Sequence, residues 1–284
     1  MLPFWASIAI LSVFQGALVA VPRSLAPAPL ASLRGRRWAL IPPLSVIGFV
    51  FVTRAAEHAS AQGLTYLALV AVPLLAAVAL GGVARGARPV LVLLVPALFA
   101  LAWADRTHLP GQAAALVLSG LSCVALGALL AAVTPPRWLA AGIVTMALAD
   151  TALVVSDLLQ RPNSALNAAR PAAGLPQLQS AALGSAVMGY GDIFVAGALG
   201  GLLAAEFGRA PALRGAALTA LLALAFDLLF FAVDELPATV PVALALIVVL
   251  LRRRWGRARP GVATARLRAR ARARAREARR PLAR

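Results

Sequence analysis

Two aspartates lie within apolar runs that are long enough to cross a bilayer. Asp150 occurs in TMALADTALVV and Asp192 in VMGYGDIFVAG. A carboxylate at the bilayer centre costs roughly 2.5–3.5 kcal/mol on insertion scales, so an acid at that depth indicates a functional site. Each acid falls about twelve residues into its run, which places it ~18 Å from the start of a helix with a rise of 1.5 Å per residue. The sequence therefore predicts two acids at matching depth near mid-membrane.

Paired carboxylates of this kind can hydrolyse a peptide bond without a metal or a nucleophilic serine. Two carboxylates in a low-dielectric site cannot both ionise cheaply, so they share a proton and titrate as a pair. One then acts as a general base on water, while the other, protonated, polarises the carbonyl of the scissile bond. This chemistry requires no metal or organic cofactor, and the single cysteine and two histidines form no metal-ligand pattern.

Small residues and prolines surround the predicted site. Gly189 and Gly191 precede Asp192 and remove side chains where another backbone would approach. Pro237 and Ala238 open the last apolar run, where proline frees backbone groups at a helix entrance. A structural explanation stays open for both features, because glycines also permit close helix packing and proline is common in a first helical turn.

The elements that must position these residues are membrane helices. The 284 residues are 61% hydrophobic and 13% charged, with a mean hydropathy of +0.86, which is typical of a polytopic helical membrane protein. The predicted fold class is an all-α integral membrane bundle of about nine transmembrane helices. The predicted apolar segments are 2–21, 38–53, 64–83, 89–104, 113–133, 138–159, 180–205, 213–233 and 236–251.

The distribution of arginine predicts the orientation of the bundle. All 27 basic residues are arginine; nine lie in the odd-numbered loops, four in the even-numbered loops and fourteen after residue 251. By the positive-inside rule, the N-terminus is outside and the C-terminus is cytoplasmic. Residues 1–251 would form the membrane domain, with its catalytic half at about 138–251, in the plasma membrane of a bacterium. Residues 252–284 would form a cytoplasmic tail, disordered or bound to the membrane surface.

The order of these features resembles a known family. GYGDIFVAGALGGLLAAE is similar to the GxGD region of the intramembrane aspartyl proteases, the class of signal peptide peptidases and presenilins. By this resemblance, Asp150 and Asp192 would be the catalytic pair. The substrate-binding residues would be Gly189, Tyr190, Gly191, Pro237 and Ala238. The orientation read from arginine resembles the signal peptide peptidase branch.

Two positions depart from the motifs of that family. The family has Tyr-Asp at its first motif, whereas Ala149 precedes Asp150 here. Its third motif is Pro-Ala-Leu, and this chain has Thr239 in place of the leucine. A catalytically degenerate homologue is therefore one alternative. A prepilin-peptidase-like enzyme is another, although Phe194 stands where those enzymes carry lysine.

Further acids allow a non-enzymatic alternative. Asp227 lies within the eighth apolar run, and Asp157 follows Asp150 by seven positions. A proton-coupled transporter could use Asp150, Asp192 and Asp227 as a relay. The predicted partners are membrane-embedded helical substrates, with anionic lipid for the arginine-rich tail. No specific nucleic-acid partner is expected, because aromatic interleaving and a recognised nucleic-acid-binding fold are both missing from the sequence.

Overall fold

The chain is predominantly helical, as predicted. The structure, a computed structural model, describes residues 2–25, 28–169, 171–233 and 235–258. The helices are α1 (Phe4–Ala20), α2 (Ile41–Ala55), α3 (Glu57–Val78), α4 (Leu94–Ala104), α5 (Leu109–Val133), α6 (Pro136–Val155), α7 (Gln160–Ala168), α8 (Tyr190–Phe207), α9 (Arg209–Asp227) and α10 (Thr239–Ala258). Two short strands, β1 (Ser180–Leu183) and β2 (Ala186–Gly189), form an antiparallel hairpin before α8.

Short 3-10 and π segments extend several of these helices. A 3-10 turn at Arg36–Leu40 precedes α2, a π turn at Ala79–Val83 continues α3, another 3-10 turn at Pro89–Leu93 precedes α4, and Leu228–Phe231 extends α9. Further 3-10 turns lie at Ala28–Leu33 and Ala172–Gly174. With these extensions, every predicted apolar segment overlaps a helix.

Six helical stretches in the described part of the chain are long and apolar enough to cross a membrane. They are Arg36–Ala55, Ala59–Val83, Leu109–Val133, Pro136–Val155, Tyr190–Phe207 and Arg209–Phe231, and two shorter apolar stretches are Phe4–Ala20 and Pro89–Ala104. Large apolar side chains such as Phe51, Leu74 and Leu93 are 64–70% exposed on the outer helices, as expected where the surroundings are lipid. The fold is that of a multi-pass membrane protein.

The core of the bundle is built on α5 and α8. In each of these two helices, 67% of the membrane-length window is buried, against 22–33% in the other four. Their backbones approach closely because Gly127 faces Gly197, and a Cβ on Gly197 would lie 2.3 Å from the Cys123 carbonyl oxygen. In lipid there is no hydrophobic driving force for helix association, so helices associate through close packing, which small residues permit. Around this pair, α1 packs on α8 and α9, and α2 packs on α6.

The hairpin corrects the predicted seventh segment. Residues 180–205 were expected to form one span, but residues 180–189 are extended and the helix begins only at Tyr190. Gly184 supplies the positive φ of 61° at the first position of a two-residue Gly-Ser loop, the arrangement of a type II′ turn. One face, carrying Ala181, Leu183, Ala186 and Met188, is buried, while Val187 on the other face is 50% exposed.

Contacts divide the chain into two units, residues 1–246 and 247–284. The first unit contains every site residue described below. In the second, residues 247–258 are helical, so α10 continues past residue 251, the predicted end of the membrane domain. The predicted tail beyond Ala258 lies outside the described residues.

Candidate functional site

The structure places the two predicted catalytic acids on α6 and α8, but not at the middle of either helix. Asp150 lies five residues before the end of α6, and Asp192 is the third residue of α8. The expected position of Asp192, about twelve residues into a helix, is therefore wrong. The hairpin accounts for the difference, because it takes up the residues that would have formed the first turns of a longer helix.

Contacts with α1 show where the start of α8 lies within the bundle. At the hairpin turn, the Ser185 amide donates to the Ser7 hydroxyl at 3.2 Å, close to the start of α1. Beyond the other end of β2, in the first turn of α8, Gln15 Nε2 donates to the Asp192 carbonyl oxygen at 3.1 Å. Gln15 lies eleven residues after Phe4, or ~16 Å along the helix. The start of α8 is therefore level with the interior of α1, not with its end.

Extended backbone at the level of the α1 interior needs hydrogen-bond partners for its peptide groups. Inside a membrane, non-helical backbone is tolerated where it is buried in protein or lines a cavity, because its peptide groups need partners other than lipid. The hairpin meets this condition: its strands pair with each other, and Ala186–Gly189 of β2 line a cavity. The hairpin therefore carries the chain alongside α1 to the start of α8 without a helix.

Each of the two acids accepts a hydrogen bond from a different part of the chain. Thr239 Oγ1 donates to Asp150 Oδ2 at 2.6 Å, and the Gly189 amide donates to Asp192 Oδ2 at 3.1 Å. The second bond is the reciprocal half of an N-terminal cap, with Asp192 at the third helical position. Both side chains line the same cavity. The predicted pair thus belongs to one site.

Gln15 connects the GxGD segment to the segment before α10. Its Nε2 donates both to the Asp192 carbonyl and to the Ala238 carbonyl, the latter at 2.8 Å. The side chain is fully buried. Gln15 therefore joins α1 to both segments by hydrogen bonds.

The acids line a cavity of about 880 Å³. Asp150, Asp192, Asp227 and Glu235 all contribute to its wall, which is otherwise mostly apolar. Glu235 interacts electrostatically with both Asp150 and Asp192 and accepts a hydrogen bond from Asn163 of α7 at 3.1 Å. The volume lies in the range of cavities that bind organic ligands, so it has room for a peptide segment as well as water.

The predicted substrate-binding residues divide into two groups. Gly189, Tyr190, Gly191 and Ala238 line the cavity, whereas Pro237 is buried and is not part of the lining. The Tyr190 hydroxyl forms a 2.7 Å hydrogen bond with Ser122 of α5. Tyr190 therefore helps fix the start of α8 against the core, and the segment before α10 reaches the cavity through Ala238.

Asp227 and Asp157 have different surroundings. Asp227 lines the cavity, and its Oδ2 accepts a hydrogen bond from Ser12 of α1 at 2.7 Å. Asp157 is exposed and has a positive φ of 54° in the turn after α6, a conformation that aspartate tolerates. Asp157 thus lies beyond the end of α6 at Val155.

Sequence reasoning missed several parts of this site. It did not assign a partner to Asp227, and it did not anticipate that the Thr239 hydroxyl would contact Asp150. The hairpin had a sequence signal, since Gly184-Ser185 between short apolar stretches is a two-residue hairpin pattern. Among the described residues, no group of three or more His, Cys, Asp or Glu side chains could hold a metal ion.

Comparisons with known proteins do not assign the chain to a family. A scan against protein-family models, a search of curated proteins and a search of solved structures each returned no match. The resemblance to the GxGD proteases stays a prediction that depends on the residues quoted above.

Proposed function

We propose that this protein is an intramembrane aspartyl protease of the GxGD type. The observation that carries the proposal is that Asp150 of α6 and Asp192 of α8 both lie on the wall of one cavity. These residues are 42 positions apart in the sequence. A shared site between two neighbouring acids is what a dyad needs to activate a single water molecule.

The reaction would use both carboxyl groups. One, ionised, takes a proton from water as the water oxygen bonds to the scissile carbonyl carbon. The other, protonated, donates its hydrogen bond to the carbonyl oxygen, which becomes a hydroxyl in the tetrahedral intermediate. When that intermediate collapses, the C–N bond breaks as the amine takes the proton held by the first carboxyl group. A hydroxyl of the intermediate returns its proton to the second carboxylate as the C=O bond forms, so the two carboxyl groups again hold one proton between them.

The position of the hairpin favours a peptide as the substrate. A protease must bind its substrate in extended form, and a two-stranded sheet leaves a row of peptide groups along each outer edge. All four residues of β2 line the cavity, and Gly189 ends that strand three residues before Asp192. A transmembrane segment that unwinds beside β2 would therefore pass close to the dyad.

We also propose a membrane topology for this protein. Nine spans with an external N-terminus place α6 and α8 antiparallel, with the end of α6 and the start of α8 toward the outer face. The protein would lie in the bacterial plasma membrane with its C-terminus in the cytoplasm, cleaving membrane-embedded helical peptides.

Cleavage of a reporter transmembrane peptide by the purified full-length protein tests this function. Asp150→Asn and Asp192→Asn should each lower the rate at least about 100-fold, the usual contribution of general acid–base catalysis. Asp157→Asn is the matched control, because Asp157 lies just beyond the same helix but is exposed. Cleavage that persists in both dyad variants would refute the assignment.

A proton-coupled transporter is the second candidate. The observation that favours it is Asp227, a third acid on the wall of the same cavity. Reconstituted vesicles would then show proton or solute flux, and Asp227→Asn would abolish that flux. The protease proposal instead expects peptide cleavage without such flux.

A further inference from the structure

Thr239 is completely buried at the first residue of α10, where its hydroxyl contacts Asp150. The 2.6 Å hydrogen bond joins residues 89 positions apart in the sequence. Asp150 is itself only 7% exposed. A buried hydroxyl or carboxylate without a partner is destabilising, so each group satisfies a requirement of the other.

The same residue marks a departure from the family that the chain resembles. That family has leucine at this position, and a leucine side chain has no hydrogen-bond donor. Here the hydroxyl engages Oδ2 of one acid of the dyad. The substitution therefore adds a polar contact at the reacting group instead of only changing the shape of the wall.

The position of Thr239 is fixed by its neighbour. The Ala238 carbonyl accepts a 2.8 Å hydrogen bond from Gln15 Nε2, and the same Nε2 donates to the Asp192 carbonyl. A continuous path thus runs from the Asp150 carboxylate through Thr239 and Ala238 to Gln15, and from Gln15 to the backbone of Asp192. The two side chains on this path, Thr239 and Gln15, are buried, where water competes least for their hydrogen bonds.

We propose that the Thr239 hydroxyl is a positioning group that holds the Asp150 carboxylate in register with Asp192. This inference rests on the proposed protease function. By binding Oδ2, the hydroxyl restricts the rotation of the carboxylate, and the backbone of Thr239 also contacts this group. Gln15 fixes the backbone at Asp192 and at Ala238, and Thr239 fixes the side chain of Asp150.

Three substitutions separate positioning from simple packing. Thr239→Val keeps the volume but removes the hydroxyl, and it should lower kcat about 10- to 100-fold with little change in KM, since a small misplacement of a catalytic group has effects of that size. Thr239→Ser restores the donor and should recover most of the rate. Thr239→Leu, the residue of the resembled family, should behave like valine.

The readouts also distinguish folding from positioning. Thermal unfolding in detergent identifies a variant that does not fold. If Thr239→Val does not fold, Thr239→Ala is used instead, with the same expected loss of kcat. A purely structural role predicts that a folded valine or leucine variant keeps the wild-type kcat. That result, or a serine variant as slow as valine, would overturn the inference.

A second measurement does not depend on catalysis. Infrared spectroscopy detects the carboxyl and carboxylate bands of Asp150, assigned by their loss in Asp150→Asn. Removing the hydroxyl donor in Thr239→Val should shift those bands, whereas Thr239→Ser should leave them in place. If wild-type protein cleaves no peptide, the protease proposal fails, and the infrared result alone decides the Thr239 contact. Unshifted bands in the valine variant would refute it.

Discussion

The side-chain amide of Gln15 donates a hydrogen bond to the carbonyl oxygen of Asp192 at 3.1 Å. The first helix of the chain thereby contacts the helix that carries the GxGD segment, 177 positions later in the sequence. Because the same nitrogen also binds the Ala238 carbonyl, α1 links the start of α8 to the segment before α10. The first helix is thus part of the site.

Replacing Gln15 with leucine should loosen both segments. The change removes the two hydrogen bonds that join α1 to Asp192 and Ala238. We therefore expect a loss of about 0.6–2 kcal/mol in unfolding free energy, the range for polar contacts between membrane helices. Peptide cleavage should fall as well. Gln62→Leu is the matched control, because Gln62 is exposed on α3. Equal unfolding transitions for the two variants would contradict the proposed link.

A methyl group at Gly189 should disturb Asp192. A Cβ built at this position lies 2.9 Å from Asp192 Oδ2, closer than real Cβ atoms approach other heavy atoms. The Gly189→Ala variant must therefore shift the carboxylate, and we expect a loss of cleavage of about 10- to 100-fold through misplacement of the acid. Gly63→Ala serves as the control, since a Cβ there meets no atom within 4 Å. An active Gly189→Ala variant would show that this carboxylate position is not needed.

The Ser12–Asp227 hydrogen bond should be measurable as an energetic coupling. Ser12→Ala, Asp227→Asn and the double variant form a double-mutant cycle, for which we expect a coupling of about 0.6–2 kcal/mol in unfolding free energy. Peptide cleavage should survive both single changes, because neither residue belongs to the dyad. Loss of cleavage in Asp227→Asn, with unfolding unchanged, would instead make Asp227 part of the reaction.

The orientation can be tested by labelling with cysteine reagents. Cys123 is fully buried, so the native chain should give little background with a membrane-impermeant maleimide. Ser24→Cys lies in the arginine-rich first loop and should react only after the cytoplasmic side is opened. Asp157→Cys lies in the turn after α6 and should react on intact cells. The reverse pattern would invert the proposed topology.

The sequence by itself determined that this protein is helical and enters the membrane. Runs of apolar residues long enough to span hydrocarbon must satisfy their own peptide groups, and a helix does so within one segment. Each predicted apolar segment overlaps a helix for that reason. The sequence also selected Asp150 and Asp192, because a carboxylate inside an apolar run is unfavourable unless it has a partner or a function.

Only the tertiary structure decided how those acids are placed. The apolar composition of residues 180–189 is compatible with a helix or a strand, and the burial of one face against protein, together with the Gly184 turn, selected the hairpin. The contacts of Gln15 with Asp192 and of Thr239 with Asp150 span 177 and 89 positions. Such pairings depend on how helices pack, which local periodicity does not encode.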